Sequence, residues 1–198
     1  LGRAAELLRE HTPFHLLSEL LQPPETALDP FGRDEALERR LRALADFLYT
    51  TWWRVDVKGI DNVPASGRAM IVANRGGVVP WDALVLRMVA LRALPVRRQL
   101  RPLLETPPAG ARLFDILAKR VGAVDANPDN AEKLLSAEAL IAVFPEGTRL
   151  AAKPWSERYQ IRHFGRGGFV KLAMRTRSPI IPCAIVGSEE AAPLLSTA

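Results

Sequence analysis

The chain has a single cysteine, Cys183, among its 198 residues. One cysteine cannot form an internal disulfide and has no partners for a cysteine metal site, so a disulfide scaffold is excluded. Long apolar runs are also missing, because the longest, at residues 139–145 and 179–187, fall far short of the roughly 20 residues that a membrane helix needs. An N-terminal methionine and a secretory signal pattern are absent too. We therefore expect no membrane span and a natural N-terminus upstream of Leu1.

The composition is that of a globular protein. Hydrophobic residues make up 48% of the chain and charged residues 25%, which excludes disordered and collagen-like classes. A length of 198 residues suits one domain with one buried core.

Positive charge is concentrated in two segments. Residues 83–120 carry a net charge of +6 and residues 149–177 a net charge of +7, so the rest of the chain is about 8 charges negative. This pattern suits an anionic partner, such as membrane headgroups, phosphorylated small molecules or nucleic acid, although a solvated arginine-rich surface would look the same. Because no recognised nucleic-acid motif accompanies the charge, we expect no nucleic-acid partner.

The first part of the chain predicts a helical pair. An apolar first helix ends at Pro23-Pro24, and Asp34 is suited to cap a second helix. Five apolar residues of the second helix fall on one stripe that should pack on the domain: Leu37, Leu41, Leu44, Leu48 and Trp52. The aromatic cluster at its end, Tyr49, Trp52 and Trp53, could sit at a membrane interface, but core packing is favoured. Residues 1–54 are thus a helical segment that could dock on a membrane.

From residue 55 onward, short apolar runs alternate with helical segments. Strands are predicted at residues 55–58, 69–73, 121–124, 140–144 and 180–186, and helices at 83–94, 111–120, 130–136 and 168–176. Such alternation predicts an α/β domain over residues 55–198, with a largely parallel sheet flanked by helices. Since the chain stops just after a strand, we expect this domain to continue beyond residue 198.

Three loops should hold the functional residues, because ligands of parallel sheets bind beyond the carboxyl ends of the strands. They span residues 74–82, 145–149 and 182–187. Glycines in the first two loops permit close backbone approach to a ligand, and Arg149 offers a fork of donors for phosphate. Taken alone, the turn at 145–149 could equally be a simple connection with an ion pair.

Taken together, these residues resemble the glycerolipid acyltransferase family, which includes the lysophosphatidic acid acyltransferases. Val143 to Arg149 is similar to the family's Phe-Pro-Glu-Gly-Thr-Arg block almost letter for letter. Asn74 to Asp82 falls where the family has its His-and-Asp catalytic block, and Ile181 to Gly187 is similar to its final proline-containing strand. The intermediate block, around Gly122 to Asp125, matches weakly. The resemblance covers about residues 55–190.

The resemblance implies a fold like that of glycerol-3-phosphate acyltransferase and a site built on the same blocks. It assigns Arg75 and Asp82 as catalytic residues. The residues implied in substrate binding are Asn74, Gly76, Gly77, Glu146, Gly147, Thr148, Arg149 and Pro182. It implies no metal and no redox cofactor, with acyl-CoA or acyl-carrier protein as the acyl donor.

One position departs from the family pattern. The family's histidine takes a proton from the acceptor hydroxyl, with the aspartate orienting its ring, but this position is Arg75, and six residues rather than four separate it from Asp82. Arginine stays protonated and offers only donors, so Arg75 could hold a phosphate, polarise a thioester carbonyl or pair with Asp82. His11 and His15 lie outside the motif, and His163 is the one histidine suited to substitute as the base.

The resemblance therefore implies a membrane-surface enzyme that moves an acyl group from a thioester to a lysophospholipid or a related glycerolipid hydroxyl. Membrane phospholipid and lysophospholipid are the expected partners, at the cytoplasmic face of a membrane to which the protein binds peripherally. The alternative is a noncatalytic lipid-binding or regulatory homologue that has lost its general base.

Overall fold

The structure is a computed structural model that describes residues 22, 24, 27–77, 79–106, 112–147, 154–161 and 167–191, with the backbone alone at residues 112–114. The predicted first helix lies outside these residues. By packing, the described parts of Leu1–Asp56 and Ala109–Ala123 form one compact unit, and those of Val57–Pro108 and Val124–Ala198 form a second. The predicted boundary after residue 54 stays a prediction.

The described elements alternate along the chain as α/β folds do. The helices are α1 (Glu35–Phe47), α2 (Trp81–Arg92), α3 (Arg112–Arg120), α4 (Pro128–Ser136) and α5 (Gly168–Thr176). The strands are β1 (Ala69–Ala73), β2 (Leu100–Leu104), β3 (Val124–Asp125), β4 (Leu140–Val143) and β5 (Ile180–Cys183). A π-helical turn, Leu48–Trp52, continues α1, and short 3₁₀ turns lie at Ile60–Asn62, Trp155–Glu157 and Ser188–Glu190.

In the first unit, Asp34 begins α1 as predicted. Its carboxylate accepts hydrogen bonds from the N–H groups of Ala36 and Leu37, both at 3.0 Å. It is also paired with Arg120 at the end of α3, with Arg120 Nη2 2.6 Å from Asp34 Oδ2. Burial opposes ionisation of Asp34, but these hydrogen bonds and the charge of Arg120 keep its pKa below the ordinary value. The cap and the ion pair therefore join the start of α1 to the end of α3.

The second unit is built on a five-stranded sheet among the described residues, in the order β3-β2-β4-β1-β5 with every pairing parallel. Alternate residues of β1 point to opposite faces. On one face Ala69, Ile71 and Ala73 pack with residues of α2, while Met70 and Val72 on the other face are also buried. The helices α4 and α5 pack on each other and bury Leu134 and Leu172, among other residues. The predicted α/β fold with a parallel, helix-flanked sheet is confirmed.

Strand β2 was not predicted from the sequence. It reads Leu100-Arg101-Pro102-Leu103-Leu104, and its first four residues are buried. Proline normally argues against an interior strand, and a buried arginine breaks the apolar pattern. Only the pairing with β4 on one side and β3 on the other shows that this segment is a strand.

Other boundaries differ from the predictions. The predicted strand at residues 55–58 is wrong: the segment has no ladder partner and no regular structure. Residues 121–123 form a turn ahead of β3, with Gly122 at φ +98°, and β5 ends at Cys183 rather than at residue 186. Asn127 caps α4 by accepting from the Asn130 N–H at 2.8 Å, so this helix begins two residues before the predicted position 130.

The predicted core packing of the aromatic cluster is wrong for Trp52, which is 68% exposed. Leu37 is fully buried, but the burial of the stripe decreases toward Trp52. The π-helical winding from Leu48 to Trp52 explains the change, because i to i+5 bonding no longer places residues four apart on one face. Tyr49 and Trp53 are half-buried.

Candidate active site

Two loops meet at the carboxyl edge of the sheet because β1 and β4 are neighbouring parallel strands. The loop after β1 carries Arg75, and the turn after β4 carries Glu146. The main-chain N–H of Arg75 donates a hydrogen bond of 2.8 Å to Glu146 Oε2, and both residues are buried. The structure therefore brings together the two blocks that the sequence predicted as catalytic and substrate-binding.

Arg75 is a buried cation at this meeting point. Its Nε donates to the Gly77 carbonyl at 3.1 Å, and its guanidinium carbon lies 6.0 Å from the centre of the Phe144 ring. Burial lowers the pKa of Arg75, while the negative charges of Asp82 and Glu105 oppose this change. Arginine nevertheless remains protonated at any physiological pH, so its side chain can donate hydrogen bonds and cannot accept a proton.

Asp82 lies in the first turn of α2, where the helix dipole favours a negative charge. Its Oδ2 is 3.4 Å from the Gly76 N–H. Burial raises the pKa of Asp82 to about 6, against the lowering effects of Arg75, of backbone N–H groups and of the nearby Ser188 hydroxyl. Within the described residues, neither Asp82 Oδ1 nor Ser188 Oγ completes a hydrogen bond of ordinary geometry.

Asn74 fixes the start of the same loop. Its side-chain amide donates to the Ile185 carbonyl at 2.9 Å and accepts from the Ile185 N–H at 2.7 Å, 111 residues further along the chain. Both polar atoms of Asn74 thus bond to backbone beyond β5. The geometry gives this residue a positioning role, and its predicted contact with substrate stays a prediction.

Gly76 lies against the 3₁₀ turn that begins at Ser188. A Cβ added at Gly76 would be 2.0 Å from Ser188 Oγ and 2.8 Å from the Glu189 backbone nitrogen, so only glycine fits here. At Gly77 a Cβ would meet nothing within 4 Å. The two adjacent glycines therefore differ, since only the first is required by packing.

The turn after β4 includes one close approach. Gly147 has φ +65°, and a Cβ there would be 2.8 Å from Oε1 of Glu105, the residue that follows β2. The predicted substrate-binding residues Thr148 and Arg149, and His163, lie outside the described residues. Glu105 was not predicted as a site residue, because its signal in the sequence is a carboxylate directly after a strand, and β2 has no recognisable strand pattern.

A cleft of about 270 Å³ opens beside Arg75. Its charged lining residues among those described are Arg75 and Glu105, and Asn127 adds an amide. The apolar part of the lining comes from the ends of β2 and β4 and the start of α5: Leu103, Val143, Phe144, Phe169 and Leu172. A mostly apolar cleft with a few polar groups is the usual form of a site for an organic ligand.

Some predicted site residues lie elsewhere. Pro182 is on the edge strand β5, paired in register with Val72, and is absent from the described cleft lining. Asp82 is also absent from the described lining of the cleft. Within the described residues, no cluster of three histidine, cysteine, aspartate or glutamate side chains could hold a metal ion.

Comparison with known proteins identifies the family of this chain. The model of the acyltransferase family matches residues 54–186, which are two thirds of the chain and include both loops that meet at the edge of the sheet. The chain belongs to the glycerolipid acyltransferase family. Its members are acyl-transferring enzymes, and the predicted family resemblance is confirmed.

The curated relatives are longer proteins. An uncharacterised protein of Mycobacterium tuberculosis strain H37Rv is 40% identical over 176 residues, covering 86% of this chain and 48% of the relative. A second, from Mycobacterium leprae, is 39% identical over 170 residues, covering 85% and 46%. The chain thus spans about half the length of these relatives. The chloroplastic phytyl ester synthase 1 of Arabidopsis thaliana is 25% identical over 186 residues, covering 92% of this acyltransferase chain and 26% of the plant protein.

No solved structure matches this acyltransferase chain. Among the described helices, none combines the length and the apolar character that crossing a membrane requires.

Proposed function

We propose that this acyltransferase moves an acyl group from acyl-CoA or acyl-carrier protein to the hydroxyl of a lysophospholipid or related glycerolipid, at the cytoplasmic face of a membrane. The observation that carries the proposal is the buried contact of Arg75 with Glu146, beside Asp82 and at the edge of a mostly apolar cleft. Family membership supports acyl transfer as the reaction class.

Arg75 would stabilise charge on the acyl donor. As the carbonyl is attacked, its oxygen becomes negative, and fixed donors in a site shielded from water lower the barrier for this step. Arg75 lines the cleft. Its main-chain N–H donates to the Glu146 carboxylate, and the negative charge of Asp82 attracts its guanidinium. In this role, a hydrogen-bond donor to the developing oxyanion stands at the position where the family has a proton acceptor.

Glu105 would accept the proton. Arg75 cannot do so, no histidine is among the described residues, and Glu105 is the one carboxylate in the described lining of the cleft. The acceptor hydroxyl oxygen attacks the thioester carbonyl carbon, a C–O bond forms, and the C–S bond breaks. The carboxylate takes the hydroxyl proton and returns it to the departing thiolate.

The direct test is turnover by the purified full-length protein with acyl-CoA and acyl-carrier donors and a panel of lysolipids. The panel should include phytol, because the Arabidopsis relative is named for phytyl ester synthesis. Glu105→Gln should lower kcat about a hundredfold or more with little change in the fold, as expected for loss of a general base. His163→Asn is the matched control; a large loss there with none in Glu105→Gln would assign the base to His163.

The acceptor's phosphate has its own test. Arg149 follows the Pro-Glu-Gly turn, and its planar fork suits phosphate better than a point charge does. Arg149→Ala should weaken binding of phosphorylated acceptors and spare uncharged ones. Unchanged lysophosphatidate affinity in a folded variant would refute this assignment.

A noncatalytic lipid-binding role is the second candidate, favoured by the arginine at the family's base position. In that case the wild type should copurify with lipid, detectable by mass spectrometry, but show no turnover with any thioester. Arg75→His should then create activity. If Arg75 has the catalytic role proposed above, the same substitution should lower activity instead.

A further inference from the structure

Helix α5 has one side in the cleft and another in solvent. Phe169 and Leu172 line the cleft, and Leu172 and Ala173 are buried. On the outer side, Val170 is 40% exposed and Met174 is 75% exposed. Because residues four apart lie one turn above each other, these two side chains form a short apolar strip along the outer face.

Positive charge accompanies this strip. Lys171, Arg175 and Arg177 are exposed, and the sequence from Gly168 to Arg177 contains no acidic residue. Arg175 Nη2 is paired with Glu132 of α4 at 2.6 Å. In the part of the chain that the structure describes, no ion pair involves Lys171 or Arg177, so their charges remain available to an external anion.

We propose that the outer face of α5, formed by Val170, Lys171 and Met174 together with Arg177 directly after the helix, docks on an anionic lipid bilayer. Apolar side chains flanked by uncompensated cations are suited to a surface that offers acyl chains beneath negative headgroups. Because the same helix supplies Phe169 and Leu172 to the cleft, docking here would bring the cleft beside the lipid surface. The inference rests on the proposed function, since it names where a lipid substrate would enter.

Vesicle cosedimentation of the full-length protein tests the docking face. Vesicles of phosphatidylcholine alone are compared with vesicles containing about a third phosphatidylglycerol. Val170→Ser with Met174→Ser should lower the partition coefficient about tenfold on both, because less apolar surface can insert. Lys171→Gln with Arg177→Gln should lower it about twenty-five-fold on the anionic vesicles alone, from roughly fivefold for each of the two basic residues.

Two controls make the result specific to this face. Val96→Ser removes an apolar side chain that is 56% exposed, between the values of Val170 and Met174, in the turn that precedes β2 and at the end of the sheet opposite the cleft. It should leave partitioning unchanged. Trp52→Ala tests the exposed tryptophan of the aromatic cluster that could sit at a membrane interface, and should have a smaller effect than the Val170/Met174 substitutions. The proposal would be overturned if the Val170→Ser/Met174→Ser variant partitioned as the wild type does. That result would mean that other chain segments cover the face or that docking occurs elsewhere.

Activity measured separately distinguishes this inference from the proposed reaction. With a short-chain thioester and an acceptor below its micellar concentration, the Val170/Met174 variant should turn over as the wild type does, and on vesicle-borne acceptor it should be slower. Reduced vesicle binding without any turnover in the wild type would support the docking face and refute the enzyme. Normal vesicle binding by the variant, together with turnover by the wild type, would refute the docking face and support the enzyme.

Discussion

The loop after β1 and the turn after β4 follow neighbouring parallel strands and lie at the same edge of the sheet, yet they are held in different ways. The turn after β4 is closed by a local hydrogen bond, which the Gly147 N–H donates to the Phe144 carbonyl, three residues back, at 3.0 Å. The loop after β1 depends on distant chain, through Asn74 on Ile185 and Gly76 on Ser188. The family's block is intact in the local turn, whereas the loop held from a distance carries the altered residue, Arg75. The contacts of Asn74 and Gly76 hold this loop, and neither contact is made by the side chain of Arg75.

The sharpest test of this difference is a pair of glycine substitutions. Gly76→Ala should destabilise the protein by about 3 kcal/mol, because the new Cβ would overlap Ser188 and the Glu189 backbone, which cannot move cheaply. Gly77→Ala should change stability by less than about 1 kcal/mol, since nothing lies within 4 Å. Urea denaturation measures both. Equal effects would mean that the contact with the 3₁₀ turn does not fix the loop.

The buried carboxyl of Asp82 should make stability depend on pH. Its pKa is raised to about 6 in the folded protein, so between its unfolded value and pH 6 the native state binds more protons than the unfolded state. The free energy of unfolding should therefore fall as pH rises from about 4 to about 6, by on the order of 3 kcal/mol from this group. Asp82→Asn should remove that part of the slope in denaturation series across this range. Identical slopes in the two proteins would contradict it.

Glu146 joins the two loops and gives the next largest effect. Glu146→Ala should lower the free energy of unfolding by about 2 kcal/mol, because the buried main-chain N–H of Arg75 loses its acceptor. Glu146→Gln keeps an acceptor oxygen and should cost less. If the two variants were equally unstable in urea, the charge of Glu146 rather than its hydrogen bond would join the loops.

Gly147 in the local turn should tolerate more change than Gly76. Gly147→Ala places a Cβ at φ +65° and 2.8 Å from Glu105 Oε1, at a cost of about 1–2 kcal/mol. The Glu105 carboxylate is the end of a flexible side chain and can shift. We therefore expect Tm to fall only slightly, and kcat to fall because the Glu105 carboxylate is displaced. A Tm loss as large as that of Gly76→Ala would remove the contrast between the loops.

Much of the fold could be predicted from local patterns. The Asp34 cap, the bounds of β1 and α5, and the parallel α/β class are confirmed, because each depends on a capping residue or on periodicity within a few residues. The family blocks likewise predicted that Arg75 and Glu146 share a site. The segment at 55–58 shows the limit, since alternating apolar and charged residues become a strand only when a neighbouring strand pairs with them.

The sequence by itself determined the family, the α/β class, the cation at the position of the family's histidine and the glycines of both loops. Only the tertiary structure decided that β2 is a strand, that Glu105 reaches the cleft, and that Asn74 and Gly76 contact chain more than a hundred residues away. The physical reason is the separation along the chain over which each kind of interaction acts. Caps, turns and periodicity arise from interactions between near neighbours, but the residues that meet at a sheet edge are set by strand order and register, which no local pattern records.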